Sequence, residues 1–115
     1  MNLEDIQSLC EKLKGTTTDI KWEDHLCFNV GDKMYLITSP DRFPISASFK
    51  ATEEDFELLC ERQGFIPAPY LARYRWVHLD DISRLSALEW EKYILSSYQL
   101  VVNKLPASVK KNLRA

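Results

Sequence analysis

Glycine is scarce in this sequence: three in 115 residues, at positions 15, 31 and 64. A phosphate-cradling loop needs several glycines within a few residues, so neither a P-loop nor a dinucleotide fingerprint is present. Cysteine is equally sparse, as Cys10, Cys27 and Cys60. An odd number without paired spacing argues against a disulfide framework and fits a reducing compartment. There is no CxxC and no HExxH, so the common zinc and metalloprotease spacings are missing. The N-terminus has no basic stretch followed by an apolar one, and no apolar run approaches membrane-spanning length. The expectation is a cytoplasmic chain with no membrane partner.

An excess of charge of one sign is also lacking. Fifteen Lys and Arg face seventeen Asp and Glu, a net charge of −2, which is no footprint for tight nucleic-acid binding. The distribution is uneven. Residues 1–60 hold 6 basic and 12 acidic side chains, and residues 61–115 hold 9 and 5. An anionic partner should therefore meet the second half.

What is present suffices for one domain. Hydrophobic residues make up 45% of the chain, with three Trp and five Phe, enough for an ordinary core at this length. Leu3, Ile6, Leu9, Cys10 and Leu13 recur at helical spacing, with Asn2 as N-cap and Gly15 as the stop. Residues 16–24 read as polar and turn-like, with a short strand at Ile20 and Trp22. Leu26, Phe28 and Val30 alternate with His25, Cys27 and Asn29; Gly31-Asp32 forms a two-residue hairpin loop, and residues 33–38 return. With that loop Phe28 faces Tyr35 and Leu26 faces Ile37 on the core side. His25, Cys27, Asn29, Met34, Leu36 and Thr38 then share the other side.

A third strand is expected at residues 45–49. Thr52 caps a second helix to about Arg62, whose Glu53-Glu54-Asp55 start complements the helix dipole. Residues 65–70 contain Pro67 and Pro69 and read as an irregular connector. Residues 75–79 read as a fourth strand. Ser86 with Glu89 makes a capping box for a final helix to about Lys104, with Trp90, Ile94, Ser97, Tyr98, Val101 and Leu105 as its inward stripe. The domain is expected to span residues 1–106, and residues 107–115 to form a mobile tail. The order predicts an α+β fold, an antiparallel sheet with helices packed on one face and the other face open.

Several segments together resemble the MmcQ/YjbR family: Asp19-Ile20-Lys21-Trp22, the hairpin from Leu26 to Met34, Ser46-Ala47-Ser48-Phe49-Lys50, and Pro67-Ala68-Pro69-Tyr70 followed by Arg75-Trp76-Val77. The resemblance runs from the first helix to the last. It implies a frataxin-like (CyaY-like) fold and a predicted DNA-binding role, the latter by structural analogy alone. The iron-binding acidic ridge of frataxin-like folds does not carry over. Glu4, Asp5 and Glu11 are few and are offset by Lys12 and Lys14.

Two binding surfaces follow, and no catalytic motif, cofactor site or metal site. The first is Arg73, Tyr74, Arg75 and Trp76 with Lys50, where guanidinium groups would contact phosphates and rings would stack on unpaired bases of DNA or RNA. Lys21 and Arg62 extend it if the fold brings them near. The competing reading has Tyr70 and Trp76 packing structurally while the arginines pair with Asp80, Asp81 or Glu61. The second surface is the open sheet face around His25, Cys27, Met34 and Trp76, suited to a protein partner or a small ligand. A Cys27–His25 nucleophile pair, with His78 joining from the fourth strand, is disfavoured. Neighbours two apart on a strand lie roughly 7 Å from each other, and no orienting acid is at hand.

Overall fold

Three short polar signals start the main helices. Asn2 and Asp5 form a reciprocal capping box at α1 (Leu3–Glu11), Thr52 caps α2 (Glu53–Cys60), and Ser86 with Glu89 boxes α3 (Ala87–Asn103). Each satisfies amide groups that the first helical turn leaves without partners. The computed structural model describes residues 1–114, with side chains through Leu113. Between the helices run β1 (Thr16–Lys21), β2 (His25–Val30), β3 (Lys33–Ser39), β4 (Ser46–Lys50), β5 (Phe65–Pro67) and β6 (Trp76–Leu79). They form one antiparallel sheet in the order β1-β2-β3-β4-β6-β5. The α+β class and the one-sided helical layer are as the sequence predicts.

All helices lie on one face. Ile6 and Cys10 of α1, Leu59 of α2 and Trp90, Tyr93, Ile94 and Val101 of α3 pack with Phe28, Val30, Leu36, Ala47, Phe49, Val77 and Leu79 of the sheet. Phe49 stacks on Tyr93 and meets Trp90 at an angle, so the central strand carries the aromatic heart of the core. Trp90 Nε1 donates to the Ile82 carbonyl at 2.9 Å, which removes the polar cost of burying an indole.

The register differs from the expected one in a way that matters for the other face. Phe28 pairs with Leu36 and Asn29 with Met34, so Tyr35 is an extra residue and forms a β-bulge. The bulge brings Tyr35 and Leu36 to the same side and turns Ile37 to the opposite one, across from Cys27. Expected places for Leu36 and Ile37 are thereby exchanged, as an inserted residue requires. The β3–β4 pairing stops at Leu36–Phe49. Beyond it Ser97 Oγ donates to the Tyr35 carbonyl at 2.6 Å and accepts from the Lys50 amide at 3.0 Å. One buried hydroxyl replaces the missing rungs, which explains a serine within an apolar helical stripe.

Three further departures are local. Residues 16–21 form a complete edge strand, their β-branched threonines favouring extended backbone over a turn. Residues 65–67 pair with β6 at the other edge; an edge is where a strand tolerates proline, because no amide is needed on the outer side. Residues 107–114, read above as a tail, form a fourth helix, α4 (Ala107–Arg114). Val109 and Leu113 give it an apolar side that packs on the main core, so Pro106 ends one helix and starts the next.

Candidate functional site

The helix-free face of the sheet is built from alternate residues of four strands. One row across it is Cys27, Ile37, Ser48 and His78, each paired with the next. The neighbouring row contains Ser39 paired with Ser46, and His25 lies on the same face two residues before Cys27. The segment after β5 folds over part of this face: Ala68, on the backbone of Trp76 through a 2.9 Å amide bond, and Leu71 pack on Cys27, Ile37, Met34 and Trp76. A short 3-10 turn at Ala72–Tyr74 then leads into β6.

The cover is incomplete. Between it and the β1–β2 turn lies a cavity of about 550 Å³, lined on its apolar side by Trp22, Met34, Ile37, Pro69, Tyr70 and Leu71. His25, Ser39, Ser46, Ser48 and His78 supply the polar groups. This volume lies within the range of small-molecule pockets. Among the described residues no carboxylate, lysine or arginine lines it.

Two aromatic residues at this cavity are held in an unfavourable backbone. Trp22 has φ 51° and the adjacent Glu23 φ 71°, in a turn where asparagine or glycine would be at ease, and Tyr70 has φ 66°. The left-handed region costs an ordinary residue roughly 1–2 kcal/mol. Neither ring is buried in return: Trp22 is 62% and Tyr70 99% exposed. Trp22 meets His25 edge to face, with ring centroids 5.7 Å apart.

The polar floor is mixed in its satisfaction. Ser48 Oγ and His78 Nδ1 are 2.8 Å apart. Burial, and after it the Arg42 guanidinium, hold the His78 pKa below its ordinary 6.5, against a smaller upward pull from Asp80. His78 is therefore neutral at pH 7. His25 Nδ1 lies 2.7 Å from Asp24 Oδ1, but outside hydrogen-bond geometry, and like Ser46 Oγ it is buried without a hydrogen-bond partner. Buried polar atoms of this kind are few in folded proteins.

The residues proposed for a sheet-face ligand are thus only partly at the surface. His25 and Met34 line the cavity. Cys27 has no exposed area and lies beneath. Burial pushes its thiol pKa up, the opposite of what a nucleophile needs. Trp76 is 5% exposed and packs with Cys27, Ile37 and Ala68. Residues 69–71 and Trp22, the cavity's outer wall, were not assigned to this face from the sequence. Trp22, Pro69 and Tyr70 do stand in the segments that carry the family resemblance, which is the signal that could have marked them.

The basic patch is assembled differently from the expectation. Trp76 cannot stack on a base, because it is core. Arg75 pairs with Glu53 at 3.3 Å and lies over the Phe56 ring, rather than pairing with Asp80, Asp81 or Glu61. Arg73 donates to Tyr74 Oη at 2.6 Å and lies over that ring. Lys50 is partly buried, its pKa lowered by burial and then by Lys104. Of the outlying cations, Lys21 pairs with Asp19 at 2.8 Å and Arg62 with Glu89 at 2.6 Å. Among the described residues no group of three or more His, Cys, Asp or Glu is placed to hold a metal ion, and no helix is long and apolar enough to cross a membrane.

Comparison with known proteins finds relatives in sequence and in overall fold. The YjbR family model matches residues 11–100. The crystal structure of Deinococcus radiodurans protein DR2400, with a DUF419 domain, is similar at 26% identity and a TM-score of 0.87, over 98% of this chain and 88% of that one. A Pseudomonas syringae protein shares the fold at 23% identity and a TM-score of 0.70, over 87% of this chain and 98% of that one. No curated protein matches the sequence.

Proposed function

The chain belongs to the YjbR family, and on that premise we propose that it is a non-enzymatic small-ligand-binding module whose site is the cavity on the helix-free face. The family sets the fold; the function has to be argued from the site. One observation carries the reading: the backbone is left-handed at Trp22 and Tyr70, and both residues line the cavity with side chains left exposed rather than buried. Trp22 recovers only an edge contact with His25 and Tyr70 recovers no burial, whereas a planar guest would find both rings exposed. The frataxin-like likeness and a cytoplasmic setting belong to the same proposal.

The ligand class is planar and mostly apolar, with one polar edge that can meet His25 and Ser46. The test is calorimetric titration of planar bicyclic fragments, headed by 2-naphthamide, into the wild-type protein and Trp22→Gly. Glycine relieves about 1–2 kcal/mol of backbone strain and loses the Trp22–His25 edge contact, worth about 0.5–1.5 kcal/mol. The variant should therefore keep its stability within about 1 kcal/mol while binding falls about tenfold. Absence of saturable binding across the fragments, or a variant that binds as well as the wild type, would retire the cavity as the site.

Nucleic-acid binding, the leading expectation from the sequence, becomes the weaker reading. Its support is the family likeness and the exposed Arg73–Tyr74 pair. Against it stand the burial of Trp76 and the pairing of Arg75 with the acidic start of α2.

A further inference from the structure

A second cleft adjoins the first. It measures about 300 Å³ and is lined by Arg42, Phe43, Pro44, Ser46, His78, Asp80, Asp81 and Arg84. Ser46 and His78 line both clefts, so the two share a polar wall. Its character is different: four of its lining residues are charged.

Those charges do not cancel evenly. Arg84 is engaged by Asp80 through Nε and, at 3.4 Å, through Nη2. Asp81 accepts from the Ser83 amide at 2.9 Å and is occupied as a helical cap. Arg42 sits in the turn between β3 and β4, where its amide bonds the Ser39 carbonyl, and its guanidinium has no ion-pair or hydrogen-bond partner among the described residues. Ser46 between the clefts is 4% exposed, and its hydroxyl lacks a partner. An unpaired guanidinium and a buried orphan hydroxyl at one junction match a small anion, which accepts from both.

Resting on the cavity reading above, we infer that the ligand is a planar organic acid: its ring system lies in the larger cleft, and its single carboxylate reaches the junction, bound by Arg42 and Ser46. A carboxylate is favoured over a phosphate by the neighbouring acids. Asp80 and Asp81 oppose a second negative charge, and Arg42, the one unpaired cation among the described residues of this cleft, balances only one. Neutral His78, with Nδ1 held by Ser48 at 2.8 Å, lines both clefts beside this junction.

The experiment compares 2-naphthoate, 2-naphthamide and 2-naphthyl phosphate by calorimetry on the full chain, as wild type, Arg42→Gln and Trp22→Gly. The acid should bind the wild type about tenfold or more tightly than the amide, as expected for a charge-assisted bond. Arg42→Gln should abolish that ratio, costing the acid about tenfold more than the amide; Trp22→Gly should weaken both compounds together. Equal affinities for acid and amide in the wild type, or an unaltered ratio in Arg42→Gln, would overturn the carboxylate subsite while leaving the cavity standing. A phosphate bound more tightly than the acid would overturn the choice of anion. No binding by any compound would overturn the cavity reading and this one with it.

Discussion

His78 shows how one side chain can tie the site to stability. Its Nδ1 is engaged by Ser48, and burial together with Arg42 disfavours its cation. The unfolded chain therefore binds a proton more readily than the folded one below the ordinary value of 6.5. Stability contributed by the neutral ring is present above that pH and is lost as pH falls toward the lower folded value. His78→Gln should flatten the fall in urea midpoint between pH 7.5 and 5.5 that the wild type shows. The depressed carboxylates Asp19, Asp81 and Glu89 act below pH 4.5 and leave this window clear. An unchanged slope in the variant would mean that the buried imidazole carries no such penalty. At this scale the sequence was a poor guide. Trp76, Tyr74 and Tyr70 lie within seven residues of each other, yet one is core, one half-exposed and one fully exposed. Nothing in their side chains distinguishes those fates.

Elements were more legible where their signals are local. The caps at Asn2, Thr52 and Ser86 and the two-residue Gly31-Asp32 turn stand where the pattern put them, the turn with positive φ at both residues. Gly31 is needed twice over: it is left-handed, and a Cβ there would press on Leu105. Elements stabilised by distant partners were missed. The fourth helix has few apolar residues, and Val109 and Leu113 among them pack on the core. Ending the chain after Pro106 removes Val109 and Leu113 from that core, so the truncated protein should lose about 2 kcal/mol. Chemical denaturation measures this directly, and an unaltered midpoint would mean that the helix adds nothing to stability.

The whole molecule carries an acidic first half and a basic second half, and the two meet where Glu53 pairs with Arg75. Within the second half Glu89 and Asp80 hold Arg62 and Arg84. Three of its arginines are thus paired in space, which weakens any long-range field. Fluorescence anisotropy with single-stranded DNA should accordingly show weak binding at low salt, with little change in Arg73→Glu/Arg75→Glu. Micromolar affinity that falls steeply with salt and is lost in the double variant would restore the nucleic-acid surface.

By itself the sequence determined the α+β class, the helix starts, the hairpin turn and the family, because caps, periodicity and turns are settled by residues a few positions apart. It also singled out His25 and Met34 as members of the sheet's second face. Only the tertiary structure decided the rest. One extra residue at Tyr35 exchanges the faces of Leu36 and Ile37, and the segment after β5 closes over Cys27 and Trp76 while leaving a cavity beside Trp22 and Tyr70. Register and burial are properties of strands brought together from far along the chain. A change of one position in one strand alters them while leaving local preferences untouched.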